Sequence, residues 1–209
     1  MTSVPCLVRA RWTDLDQITG LIADTTLLTP SATWLVPAPD RRRTVLAAVA
    51  RIWAEHALLF GEVHLLPDGT GAAVWMHRYR PLPLPVDFLA RLTTTCGDHV
   101  ERFRLLDGVL SLHRPVTAHN HLAFLAVPSP PGRSIRIGQL LAGSHRRMAT
   151  LGLPMYAETC DEALLARYHR HGYAVGGSFR LPDGSVLWQL WRRAGAGGPA
   201  GDVRRPQRR

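Results

Sequence analysis

The residues of this 209-residue chain best suited to chemistry lie between positions 119 and 173. Two short histidine pairs, His119-Asn120-His121 and His169-Arg170-His171, invite a metal reading. Neither has a Cys, Asp or Glu partner at ligand spacing, so no metal is expected. Cys6, Cys96 and Cys160 are an odd set at wide spacing with no Cys-x-x-Cys, and they read as reduced thiols. Residues 128–138 say more, with Gly132, Arg133, Arg136 and Gly138 set between an apolar run and an amphipathic helical pattern. A strand, a loop bearing Gly and Arg, and a helix start aim backbone N–H groups and a positive helix end at one spot, which suits a phosphate or pyrophosphate. An ordinary strand-to-helix connector has the same outline.

These residues need a framework to hold them. Residues 121–127 are nearly all apolar, as in a strand buried on both faces at a sheet centre. After the loop, a helix is expected from Gly138 through Leu140, Leu141, Ser144 and Met148 to a stop at Gly152. Residues 154–158 read as a short strand, and Thr159 with Glu162 forms a capping box for a helix over 161–170 that stops at Gly172. Upstream, residues 6–12 read as a strand, and Thr13 caps a helix with Leu15, Ile18, Leu21 and Ile22 on one face. Asp40 caps a second helix carrying Val45, Val49, Ile52, Trp53 and His56. Asp68-Gly69 and Asp183-Gly184 are hairpin turns within 62–76 and 173–191. Prolines 81, 83 and 85 form a stiff connector into helical segments at 86–96 and 98–111. The order is mixed α and β in one compact unit.

Composition narrows the function classes. With 46% apolar and 20% charged residues the chain fits one globular domain. No run of about 18 apolar residues exists, so no membrane span is expected, and with no secretion-signal pattern the expected location is the cytoplasm. Every basic residue counted in the +9 formal charge is Arg. Five arginines against Asp202 place four of those charges in residues 193–209, a Gly-rich stretch without apolar periodicity that is expected to be a disordered tail on a domain spanning 1–192. The body lacks a basic stripe interleaved with exposed aromatics, so a nucleic-acid partner is not expected.

One pattern is more specific. Tyr156-Ala-Glu-Thr-Cys160, followed by Arg167-Tyr-His-Arg-His-Gly-Tyr173, is similar to the Leu-Glu-Thr-Ser and Tyr-Glu-Arg-x-Gly-Phe motifs of the GNAT superfamily of N-acetyltransferases, at the same separation. The run from Val8 to Trp191 resembles that superfamily as a whole, and the puromycin acetyltransferase type most closely in pattern. The resemblance implies an α+β (mixed α/β) fold, a twisted, mostly antiparallel seven-stranded sheet with a central splay, flanked by helices. An acyl-CoA pantetheine arm would pair with strand backbone at Leu125, Ala126 and Val127. Arg133, Ser134, Ile135, Arg136, Ile137 and Gly138 fit the pyrophosphate signature Gln/Arg-x-x-Gly-x-Gly/Ala, with Arg136 in place of the middle glycine.

In the same comparison Tyr168 takes the place of a Tyr that protonates the departing CoA thiolate. Glu158, ending a strand beside the slot, is the first candidate for the base facing the amine, with His121 and His119 as runners-up. Leu164 stands where the family often has an Asn contacting the pantetheine, and His169 replaces the Glu after the Tyr. The resemblance thus implies acetyl-CoA as cosubstrate, a small-molecule amine as acceptor, and the homodimers common among similar enzymes. The departures at 136, 164 and 169 motivate a competing reading, a GNAT-fold protein with a degenerate CoA site that binds a metabolite or partner without acyl transfer.

Overall fold

A computed structural model describes residues 6–128 and 131–195. Most of the tail expected at 193–209 lies outside the described residues. The chain runs β1 (Val8–Arg9), α1 (Leu15–Thr26), α2 (Pro30–Leu35), α3 (Pro39–Phe60), β2 (Gly61–Leu65) and β3 (Ala72–Arg78). It continues through α4 (Phe88–Cys96), α5 (Val100–Leu112), β4 (His119–Ala126), α6 (Arg133–Ala149), β5 (Met155–Thr159), α7 (Leu165–Arg170), β6 (Ala174–Arg180) and β7 (Val186–Arg192). The seven strands form one sheet in the order β1-β2-β3-β4-β5-β7-β6, antiparallel except for the β4–β5 pair. That pair is parallel because α6 carries the chain back across the sheet between them. Among the described residues, no helix is long and apolar enough to cross a membrane.

Alternation on the strands divides the core. Trp75, Leu122, Val127 and Ala157 face α6 and α7, meeting Leu140, Met148 and Tyr168. Val74, Met76 and Ala126 face α1 and α3, meeting Ile18, Ile22 and Ala54. A third cluster, including Leu35, Val45, Phe88 and Phe103, packs α2, α4 and α5 onto the far side of α3.

Several boundaries differ from the sequence reading, each for a local reason. The strand expected at 6–12 shrinks to Val8–Arg9 because the Asp14 carboxylate takes the Arg11 N–H at 2.7 Å and turns the chain before α1, so Thr13 is not its cap. Pro39 at the first helical position, rather than an Asp40 cap, starts α3. Helix α2, not anticipated, has its signal in Thr29, whose hydroxyl accepts the Ala32 N–H, and in Pro30. The helix expected from Gly138 starts five residues earlier, at Arg133, after Gly132 takes the left-handed conformation at φ 79°. The expected capping box at Thr159 is replaced by Asp161, which accepts the Ala163 N–H at 3.0 Å and starts a short 3-10 turn ahead of α7.

Histidine is used inside this core as a neutral residue. His64 links Ser144 on α6 at 2.9 Å to Glu62 at 3.0 Å. Burial pushes the imidazole pKa down at His64, to about 4 at His119 and to about 3 at His145. Below pH 6.5 the unfolded chain therefore takes up protons that the folded chain refuses, and stability falls as pH drops toward 4. His119 alone removes about 3 kcal/mol over that window. Denaturant titrations at pH 7 and 4.5 should show this loss, and His119→Gln should flatten it; equal slopes for both proteins would refute the assignment.

Candidate active site

The parallel pairing of β4 with β5 covers Asn120↔Met155, His121↔Tyr156 and Leu122↔Ala157 and then stops, four residues before β4 ends. Its cause is visible on the other edge of β4. Val74 pairs with Phe124 and Trp75 with Leu122, leaving Ala123 as an extra residue. Such a bulge bends its strand, and here it marks the point where β4 leaves β5. Beyond it, the backbone of residues 123–126 has no partner on the β5 side.

A cavity of about 300 Å³ opens on the α1–α3 face of this gap. Its wall is mostly apolar, with Leu46, Trp53, Phe88, Leu92 and Phe103 from the surrounding helices, and its strand floor carries Arg78, His121 and Glu158. Glu158 is one residue from the end of β5, and alternation places it on the same face as Tyr156. Its Oε1 accepts the Tyr156 hydroxyl at 2.5 Å, and its Oε2 lies 3.8 Å from His121 Nε2. The Tyr156 oxygen in turn accepts from Gln189 at 2.8 Å, and Gln189 also donates to the His113 carbonyl.

This arrangement fixes the protons. Burial opposes ionisation of Glu158, but His121, the Tyr156 hydroxyl and Arg114 outweigh it and hold the carboxyl below its usual range. Burial pushes His121 down, as does Arg78. Arg78 Nε donates to His121 Nδ1 at 3.3 Å, so the imidazole lone pair is occupied and its proton sits on Nε2, facing Glu158. Of the two base candidates, His121 thus has no uncommitted lone pair, whereas Glu158 is ionised with Oε2 toward the cavity. His119 donates to the Thr117 carbonyl at 2.6 Å and is fully buried, away from the cavity wall.

The opposite face of the gap holds the other predicted residues except Ala126, which faces α1 and α3. Leu125 is half-buried, and Ala126 and Val127 are buried. Arg133 Nε donates to the Val127 carbonyl at 3.2 Å and Nη1 reaches Asp161 at 3.3 Å, tying the end of β4 to the segment after β5. The Ser134 carbonyl and hydroxyl accept from Arg167 at 2.8 and 2.6 Å. Ile135 is exposed, Ile137 is core, and Gly138 faces His171. Arg136 is helical and folds back to donate to the Pro131 carbonyl at 2.8 Å, while its Nε is buried without a partner. The missing middle glycine costs no backbone strain, because the left-handed residue is Gly132. Ile135 N–H and Arg136 N–H both donate to the Gly132 carbonyl, and the Arg133 and Ser134 amides have no backbone acceptor among the described residues.

Tyr168 lies beneath Arg133 and Asp161 with 3% of its surface exposed, edge-on to Tyr173 at 5.2 Å. Burial raises its phenol pKa well above 10. Leu164 packs against the same core.

Glu158 and His121 lie together on the cavity floor and Tyr168 lies in the core on the α6–α7 side of the sheet, while Tyr156, Arg78, Asp107 and Arg114, which the sequence did not single out, also shape the floor and wall. Tyr156 was within reach, since residues two apart on a strand share a face. Arg78 was not, because its partner lies 43 residues away in sequence.

No protein-family model matches the chain. Among solved structures, the chain is similar to one described as histone acetyltransferase HPA2 and related acetyltransferase from Corynebacterium glutamicum, with TM-score 0.68 and 20% identity over 95% of this chain and 99% of that one. It is similar to arylalkylamine N-acetyltransferase 2 from Aedes aegypti, with TM-score 0.54 and 12% identity over 88% and 96% of the two chains. For mosquito arylalkylamine N-acetyltransferase like 5b the values are 0.53 and 17%, over 89% and 98%. At these identities the likeness establishes the fold, which is the GNAT acetyltransferase fold: a mixed α/β chain with a seven-stranded, mostly antiparallel sheet flanked by helices.

Proposed function

We propose that the protein is an acyl-CoA-dependent N-acyltransferase that transfers an acetyl group directly to the amine of a small molecule. The observation that carries this reading is the ionised Glu158, with one oxygen uncommitted, at the floor of an apolar cavity where β4 and β5 separate. The acetyltransferase fold supports acyl transfer in general, and the amine acceptors named for two of the similar structures support an amine here.

The chain's groups fit acetyl-CoA. The β5-side edge of β4 at Leu125 and Ala126, left open beyond Leu122, with Val127 just beyond, suits the amide-rich pantetheine arm. The amides of Arg133 and Ser134, at the positive end of a 17-residue helix, suit the diphosphate. The buried, unpartnered Nε of Arg136 lies in the same turn. The Arg133 and Arg136 side chains already hold protein oxygens, so this cradle is mainly backbone. When bound, acetyl-CoA supplies a thioester whose C–S bond breaks as the C–N bond forms, giving amide, CoA thiol and one released proton.

Glu158 Oε2 orients the incoming ammonium and receives its proton. Because the carboxyl titrates below its usual range, it passes that proton on to water rather than keeping it. Tyr168 has a different role from the one its position first implied. A phenol raised above 10 is a weaker acid than a thiol near 8.5, so Tyr168 donates a hydrogen bond to sulfur and positions it without surrendering its proton.

Calorimetry with acetyl-CoA should show binding, and absence of heat at millimolar ligand would refute the reading. Binding with no turnover on any amine would favour the non-acylating alternative. Glu158→Gln should lower kcat/KM by about 10²–10³-fold with acetyl-CoA affinity retained. Tyr168→Phe should lower kcat by about 10–100-fold, the worth of one charge-assisted hydrogen bond. Tyr156→Phe removes a bond to the ionised form of Glu158, so the acid limb of the kcat/KM profile should move to higher pH. An unmoved limb would remove Glu158 from the proton path.

A further inference from the structure

The cavity wall carries two guanidinium groups that share it with Glu158 and Asp107 but form no ion pair within 4.0 Å with either among the described residues. Arg78 is half-buried, and its side-chain acceptors are an imidazole nitrogen at 3.3 Å and the Met76 sulfur at 3.6 Å, both weak partners for a guanidinium. Burial and the neighbouring Arg114 guanidinium lower its pKa to about 10. Arg114, on the segment between α5 and β4, makes no side-chain hydrogen bond or ion pair among the described residues, and neither does Asp107 on α5. Other arginines of the chain find oxygen: Arg43 meets Asp24 at 2.6 Å, Arg102 meets the Trp34 carbonyl and Arg133 meets Asp161. The two guanidinium groups line one mostly apolar cavity and repel each other, and each lacks a carboxylate within hydrogen-bond distance, a cost that an oxyanion reaching both would offset.

The spacing indicates where that anion belongs relative to the amine. Arg78 contacts Nδ1 of His121, and Glu158 Oε2 faces Nε2 of the same ring at 3.8 Å. The anion site and the ammonium site are therefore separated by one imidazole. A molecule whose amine and carboxylate sit on one carbon, with a hydrogen bond at each end, spans such a gap. Charge also balances. The wall carries Arg78 and Arg114 against Glu158 and Asp107, so a zwitterion leaves it neutral whereas a simple ammonium leaves an excess positive charge. The remaining space, bounded by Leu46, Trp53, Phe88 and Phe103, accepts a large apolar group.

Building on the N-acyltransferase reading, we infer that the acceptor is an α-amino acid with a large apolar side chain, its carboxylate held by Arg78 and Arg114. His121 is then a positioning residue that sets the distance between Arg78 and Glu158.

The test compares phenylalanine, tryptophan, leucine and methionine with the amines lacking their carboxylates, phenethylamine, tryptamine, isoamylamine and 3-(methylthio)propylamine. Thiol release from acetyl-CoA is the readout. At least one amino acid should exceed its amine in kcat/KM by about 100-fold or more, because the amine leaves buried guanidinium groups unpaired. Arg114→Gln should reduce that ratio at least tenfold and Arg114→Lys should restore part of it; melting curves on both confirm folding. Amines used as well as amino acids would overturn the inference and leave N-acylation standing. If no acceptor reacts, the inference also falls, and calorimetry decides the rest: bound acetyl-CoA spares the acyl-CoA reading, whereas no binding ends both.

Discussion

The separation of β4 from β5 after Leu122 is the constraint on which the rest of the molecule depends. A parallel pair that continued to the end of β4 would satisfy its backbone groups and close the sheet. Instead, one extra residue, Ala123, changes the direction of β4 against β3, and Arg133 bridges Val127 and Asp161 on the far side of the gap. The first feature bends the strand and the second braces the bent arrangement. Unpaired backbone this far inside a domain is costly unless something else bonds to it, so the gap has the character of a site that awaits a partner rich in amide groups.

Burial then sets the electrostatics around that gap. Imidazoles placed in a low-dielectric core stay neutral, and the hydrogen bonds they make decide which nitrogen keeps the proton. His121 is pinned from Nδ1 by a cation and presents its N–H to Glu158, so the histidine supports the ionised carboxylate instead of competing with it for protons. The Tyr156 hydroxyl acts the same way from the other oxygen. An ionised carboxylate beneath an apolar cavity is thereby held on one oxygen by the Tyr156 hydroxyl, while its other oxygen, 3.8 Å from the His121 N–H, stays open to an incoming ammonium.

The layout of strands, long helices and hairpin turns was legible in the sequence because each rests on local periodicity or turn chemistry. Asp68-Gly69 and Asp183-Gly184 both form turns, with Gly69 and Gly184 at positive φ. The start of α6 lies five residues ahead of the expected one because Gly132, not Gly138, makes the turn, and composition alone does not tell the two glycines apart. The position of Glu158 near the end of β5 was legible because residues 154–158 read as a strand. The Arg78–His121 contact was not, since it arises from register between β3 and β4, and a bulge of one residue decides which side chains share a face.

That difference reflects how the molecule divides its labour. The strand floor holds Glu158, His121 and Tyr156 through pairings that fix each backbone on both sides or through bonds to adjacent strands. The apolar wall comes partly from α1 and α3 and partly from α2, α4 and α5, which pack onto α3 and stand outside the sheet, and α5 buries one residue, Phe103, of its thirteen. Side chains on such a peripheral layer are free to vary without disturbing the strand register. The chemistry is consequently tied to the sheet, and selectivity for the molecule that receives it resides in helices whose exposure leaves them open to change. Arg78 and Arg114 sit where these layers meet, one at the end of a sheet strand and one on the chain leaving α5, so any ligand that pairs them also fastens the outer layer to the inner one.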